Sequence, residues 1–342
     1  MIRVVNGDED WFWAATAGHS FGSLFSSQPW TRAVARTYRF TVSASLRGRG
    51  EQINSALLFS RIADLSGERI VCGPFCDYCD PLTENGAWQD TVAPVLALHL
   101  PVTLRCLRNA TPASDPRFTV TGRAAWHGID LTCGETQLWH GLDGSARQNV
   151  RKARRSRVTI REGRTFDDLR LFFDMHCHVR KSKYRLLPQP FAFLEEIYSA
   201  FAPQDRIVVL LAEYQGALAA GILFLQWGNT LYYKFNASVD RRGCPNDLLL
   251  WEGIRLGQRL GLAQLDLGAS DYDQPGLLRY KRKYATEERE IVRLRWEPPG
   301  YADPRPAQAR QTLSQMTRLL TEPGVPDAVT RAAGEAFYGL FC

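Results

Sequence analysis

Residues Arg206 to Asn236 read RIVVLLAEYQGALAAGILFLQWGNTLYYKFN: three apolar runs separated by the dipeptides Gln215-Gly216 and Gly228-Asn229. Runs this short, rich in β-branched and aromatic residues and joined by two-residue turns, predict an antiparallel meander over 206–213, 217–226 and 230–236. The loop Arg241-Arg242-Gly243-Cys244-Pro245-Asn246-Asp247 then leads into a helix predicted from about Asn246 to Leu260, closed by Gly261. Gln264 to Leu267 predicts a buried strand. Pro275 opens another helix, carrying Leu277, Leu278 and Tyr280, and Glu290 to Trp296 returns as a strand.

Working outward, the first half repeats the pattern more faintly. A helix after Pro29 leads to a run at Phe40–Leu46, a Gly48-Arg49-Gly50 turn and a run at Gln52–Ile62. A helix from about Trp88 to Leu100 feeds a strand at Val102–Leu107. The expectation is an α/β (α+β) chain of two similar lobes, each a mixed, largely antiparallel sheet flanked by helices. Residues 1–135 form the first lobe, 136–300 the second, and 301–342 a helical C-terminal tail.

Composition bounds the alternatives. With 342 residues, 45% hydrophobic and 23% charged, the chain is globular and long enough to bury most of its apolar surface. Eight cysteines at this length imply no disulfide scaffold. Asp8, Glu9 and Asp10 stand where a secretion signal needs an apolar core. The most apolar stretch, 207–225, is broken by Glu213, Gln215 and two glycines, so no membrane span is expected. A cytoplasmic protein with reduced thiols is the expectation.

The net charge is +6, and eight basic residues against one acid, Glu162, fall between Arg147 and Arg164. The remainder is therefore close to neutral. A single basic patch points to a phosphate-bearing ligand. Arg147, Arg151 and Arg154 would share a helix face suited to a diphosphate or an RNA backbone. No RNA-recognition fingerprint is present, and no DNA partner is expected.

Two competing signals need weighing. Cys72, Cys76 and Cys79 carry the Cys-x3-Cys-x2-Cys spacing that can hold an iron–sulfur cluster. The antiparallel runs downstream do not suit the barrels that normally bear it, so buried or pocket-lining thiols are expected, with a cluster or zinc as the alternative. His176 and His178 would need a carboxylate to join them as metal ligands. No metal and no bound cofactor are expected.

Several segments resemble the GNAT N-acyltransferase superfamily in its Fem-type, CelD-like branch. Ser145 to Ala153 (SARQNVRKA) is similar to its "R-x-x-I-R-K-A" entry to the second domain. Phe172 to His176, Arg180 and Pro188 to Phe191 resemble its acceptor-side helix and loop. Leu265-Asp266-Leu267-Gly268 resembles its "DFG"-like strand end, and Tyr280 to Tyr284 (YKRKY) its "[FY]-K-x-x-[FW]" motif. Gly73 to Leu82 (GPFCDYCDPL) resembles "PFSD-x-x-x-PL", with Cys76 where serine is usual. The match spans roughly residues 70 to 296.

The resemblance implies tandem GNAT-like lobes and transfer of an activated acyl group to an amine of a cell-wall, polysaccharide or peptide intermediate. The donor it implies is aminoacyl-tRNA or acyl-CoA. The acyl-CoA pattern R/Q-x-x-G-x-G/A is altered here, because Pro245 replaces the small last residue and has no N–H for phosphate. Aminoacyl-tRNA is therefore favoured. The implied catalytic residues are Lys281, a cation beside the reacting carbonyl, with Asp266 and Asp271 as carboxylates for the amine proton. Arg241, Arg242, Gly243, Asn246 and Tyr280 would hold the donor. Arg147, Arg151, Arg154, Arg180, Lys181, Tyr184 and Asp77 would bind phosphate or acceptor. The alternative is a non-catalytic protein of the same fold that binds an anionic or nucleotide-linked ligand.

Overall fold

The structure is a computed structural model and describes residues 2–4, 10–49, 52–84 and 86–342. The Gly48–Gly50 turn and the acidic stretch 8–10 fall partly outside these residues. The chain divides into two compact units, one of Met1–Ala124, Glu290–Met316 and Phe337–Cys342, the other of Ala125–Arg289 and Thr317–Ala336. The segment 301–342 is thus not a separate tail: part of it joins each unit. Residues 317–336 join the second because Asp327 and Arg331 pair with Lys181 and Asp174 there.

In the second unit the meander forms as strands Ile207–Tyr214, Ala217–Trp227 and Thr230–Ser238. Gln215 and Gly216 both take positive φ, 53° and 79°, the backbone that a two-residue hairpin of matching twist requires. Thr159–Gly163 pairs with Ile207–Tyr214 on one side, and Gln264–Asp271 pairs in parallel with Thr230–Ser238 on the other. The helix Pro245–Arg259 covers one face, burying Leu248, Leu249, Trp251 and Ile254 against Leu210, Ile222 and Phe224. Its Gly253 lies over Phe224, whose ring carbon would be only 2.5 Å from an added Cβ, so only glycine allows this approach. The other helices that matter are Gly144–Arg155, Phe166–Val179, Phe191–Phe201 and Pro275–Arg282.

The first unit follows the same plan. Val42–Arg49, Gln52–Asp64 and Gly67–Val71 are antiparallel neighbours. Gly67–Val71 then pairs in parallel with Val102–Cys106, after a crossover through the helix Trp88–Leu96. Trp88, Val92 and Val95 pack on Leu57, Phe59, Ile70 and Leu104 as its core. The sequence reading joined Gly67–Val71 to no element, because the run is short and opens on polar residues.

Candidate active site

The strands Thr230–Ser238 and Gln264–Asp271 stay together for only three positions, ending at Tyr232 opposite Asp266. Two backbone irregularities turn them apart. Lys234 is an extra residue in its strand, since Leu223 faces Phe235 and Phe224 faces Tyr233. On the other strand Gly268 sits at φ 70°, and its N–H donates to the Asp266 carboxylate at 2.6 Å. Asp266 is buried at 2% exposure and thus anchors the kink.

Beyond the kink, carbonyls of the parted strand are taken by Lys281. Its Nζ donates to Gly268 O at 3.0 Å and to Ala269 O at 2.8 Å, and its side chain is 5% exposed. Lys281 does not lie on a solvated helix face. The ammonium is buried and directed at its own backbone. Asp271, at the end of the same strand, is half-buried.

Around Lys281 lie charges that sequence reasoning missed. His127 is fully buried, with Nε2 3.2 Å from Glu288 Oε2, and Nδ1 has no hydrogen-bond partner among the described residues. Burial holds the imidazole below its ordinary pKa, and Lys281 adds to this while Glu288 opposes it. Glu288 itself is engaged by Arg282 at 2.7 Å.

The strands part beside the start of the helix Pro245–Arg259. Cys244 precedes it in left-handed backbone, φ 61°, and no side chain caps the helix end. The first-turn amides of such an end attract an anion. Burial raises the Cys244 thiol, Asp247 adds to this, and Lys152 and Lys283 pull the other way, so two cations and one carboxylate act on this corner. Gly243 is buried against Tyr214, whereas Arg241 and Arg242 are exposed and Arg242 pairs with Asp240 at 2.8 Å. Tyr280 and Asn246 are brought together, the phenol donating to the Asn246 carbonyl at 3.1 Å. Asp247, which the sequence reading passed over, is buried and accepts from Tyr284 at 2.7 Å and from Asn149 at 3.2 Å.

The basic residues separate into exposed and committed ones. Arg147 donates to the His140 carbonyl at 2.6 Å, so it does not share an open face with Arg151. Arg154 pairs with Glu252 at 3.4 Å and lines a cavity of about 320 Å³ with Val158, Leu210 and Arg259. Arg151, Lys152, Arg155 and Arg157 are exposed.

In the second cluster, Lys181 is buried. It pairs with Asp327 at 2.6 Å and donates to the Val325 carbonyl, so it is not offered to an acceptor. Arg180 donates to Leu187 O at 2.8 and 3.0 Å. These residues lie in a π-helical turn, Arg180–Tyr184, that leaves Tyr184 50% exposed with Lys183 Nζ 2.8 Å from its hydroxyl. His176 is buried, 3.0 Å from Gln189 Oε1, and burial lowers its pKa to about 4, so it packs as a neutral side chain. Asp77 is half-buried in the loop 72–81 of the first unit.

Residues 144–282 match the family described as acetyltransferase (GNAT) domain. They therefore carry a GNAT domain. The fold of the chain is similar to that of solved Fem-like structures. The structure of FemX aligns over 85% of this chain and 96% of its own, with a TM-score of 0.62 and 13% identity. The structure of L-PGS from Bacillus licheniformis aligns over 92% of this chain and 98% of its own, with a TM-score of 0.54 and 14% identity. A tandem GNAT protein from the clavulanic acid biosynthesis pathway aligns over 88% and 99%, with a TM-score of 0.53 and 10% identity. No curated protein matches the chain by sequence. The GNAT domain lies wholly within residues of the second unit. Among the described residues, no group of three or more His, Cys, Asp or Glu is placed to hold a metal ion, and no helix is long and apolar enough to cross a membrane.

Proposed function

We propose that the chain moves an aminoacyl group from aminoacyl-tRNA, in preference to an acyl group from acyl-CoA, onto an amine of a cell-wall, polysaccharide or peptide intermediate. The observation that carries this reading is the corner where the strands part beside the start of the helix Pro245–Arg259, with Lys152 and Lys283 acting on it. Pro245 removes one amide that a diphosphate would use, while Arg151, Lys152, Arg155 and Arg157 offer an exposed row to a polynucleotide backbone. In this reading Arg241, Arg242, Gly243, Asn246 and Tyr280 hold the donor's end, and Arg151 and Arg154 its phosphates. Arg180 and Tyr184 serve the acceptor side, with Lys181 acting through the turn it anchors. The second unit does the chemistry, and the first is a degenerate copy.

The amine nitrogen attacks the donor carbonyl, and a proton passes from that nitrogen to Asp266 or Asp271. Lys281 keeps the strand parted and places a buried positive charge where the oxyanion develops. Collapse expels the donor's oxygen or sulfur, which takes up a proton. The test compares an acyl-CoA panel with mixed aminoacyl-tRNAs for binding and slow deacylation, in the natural chain and in Lys281→Ala. Deacylation of one aminoacyl-tRNA, lost at high salt and in the variant, is the expected result. Acyl-CoA binding alone overturns the donor preference. Binding without turnover supports the alternative of a non-catalytic ligand-binding protein.

A further inference from the structure

Ser270 lies on the parted strand, four residues past the last paired position, and is 2% exposed. Its Oγ has no hydrogen-bond partner among the described residues. Other buried polar atoms of the second unit share that condition, on Trp126, His127, Trp251, Arg255 and Thr317, but none of those residues is on the two segments that have separated. A buried hydroxyl without a partner costs roughly 1–3 kcal/mol, so its place on the parted strand calls for an explanation.

Its surroundings indicate which partner it awaits. The adjacent Ala269 carbonyl and the Gly268 carbonyl are occupied by Lys281, and the Asp266 carboxylate is occupied by the Gly268 amide. Asp271 follows directly in sequence. This strand end is richer in acceptors than in unspent donors. A group bearing N–H suits it, and an ester or thioester carbonyl, which only accepts, suits it less.

We propose that Ser270 is a substrate-contacting residue whose hydroxyl accepts a hydrogen bond from the acceptor amine and orients the nitrogen lone pair toward the donor carbonyl. This rests on the transfer reaction proposed above. In that reaction the C–N bond forms and the bond to the leaving oxygen or sulfur breaks. Ser270 itself gains and loses no covalent bond.

The experiment is Ser270→Ala in the full chain, with hydroxylamine as the probe amine and the donor that the panel selects. Three readouts are taken: melting temperature, deacylation without amine, and the hydroxylamine dependence of donor consumption. The expected result is an unchanged or higher melting temperature, amine-free deacylation within roughly twofold, and a KM for hydroxylamine raised roughly tenfold or more. Ser270→Cys, which keeps the volume and a weak S–H, should fall between. A lower melting temperature for Ser270→Ala overturns the proposal, because the hydroxyl then has a structural partner. So does an equal fall in the amine-free and amine-dependent rates. If no donor is turned over by the natural chain, the transfer reading fails instead, and the melting temperatures still report whether the hydroxyl is unspent.

Discussion

Each unit contains a short parallel strand pair bridged by a helix, and the two differ in what fills the space where the strands part. In the first unit Ile70 and Val71 face Val102 and Thr103. The chain itself then closes the gap. Cys72 N donates to Thr103 O at 3.0 Å, Cys79 N donates to Arg105 O at 2.8 Å, and the Asp80 carboxylate takes the amides of Leu107, Arg108 and Asn109 at 2.8–3.0 Å. The side chains of Cys76 and Cys79 pack round Gly73 in this plug, and burial raises Cys72 and Cys79 well out of the thiolate range. The cysteine spacing that resembled a cluster motif is thus part of a seal. In the second unit, beyond Tyr232 and Asp266, strand carbonyls are met by one side chain, Lys281. A gap closed by backbone differs chemically from one met by a single ammonium, and on the reading proposed above it is the second lobe that carries the chemistry.

The largest effect that would sharpen this contrast comes from Lys281. Lys281→Ala should lower donor deacylation by roughly 100-fold or more, and Lys281→Met should do the same while restoring most of the lost packing. Comparable turnover in either variant would erase the functional difference between the lobes. Asp80→Ala should act in the opposite way. Three amides lose their acceptor, so chemical denaturation should show a loss of about 2–4 kcal/mol, with donor affinity of the remaining folded protein unchanged. A change in donor affinity would mean that the sealed lobe takes part in donor binding.

A smaller effect is set by pH. His176 titrates near 4 in the native state, against 6.5 when unfolded, and His127 is lowered as well. His176 is neutral in the fold, so the unfolded chain binds more protons as pH falls below 6.5. Its stabilising contribution is complete above that value and is lost progressively toward pH 4, by at most about 1.4 kcal/mol per pH unit, and the lowered His127 acts in the same direction. The melting temperature of His176→Gln should fall less steeply than that of the natural chain between pH 7 and 5. The smallest effect is expected from Arg151→Ala and Arg155→Ala. Each should alter stability by less than about 0.5 kcal/mol and, for an RNA donor, reduce the salt slope of binding by about 1.

Much of this was readable along the chain. The meander, its turns and the helix Pro245–Arg259 follow from apolar runs, paired turn residues and a proline at the helix start, all local signals. The expectation of α/β lobes with largely antiparallel sheets agrees with the fold, and the motif resemblance agrees with the GNAT match over 144–282. The candidate residues were harder to judge. Lys181 and Arg147 looked like phosphate or acceptor ligands because charge invites that reading. Their partners, Asp327 and the His140 carbonyl, lie 146 and 7 residues away. Ser270 and His127 gave no signal, since an unsatisfied polar atom is defined by neighbours drawn from other elements.

The sequence by itself determined which segments become strands and helices, and that a strand ending in Asp266 precedes a helix bearing Lys281. Hydrophobic spacing and turn chemistry act over a few residues and so survive in one dimension. Only the tertiary structure decided that the strands part after three positions, that Lys281 is spent on the carbonyls they expose, and that residues 317–336 pack with the second unit. Those outcomes depend on a bulge at Lys234, a left-handed Gly268 and ion pairs between distant segments, where packing and desolvation of whole elements set the energy.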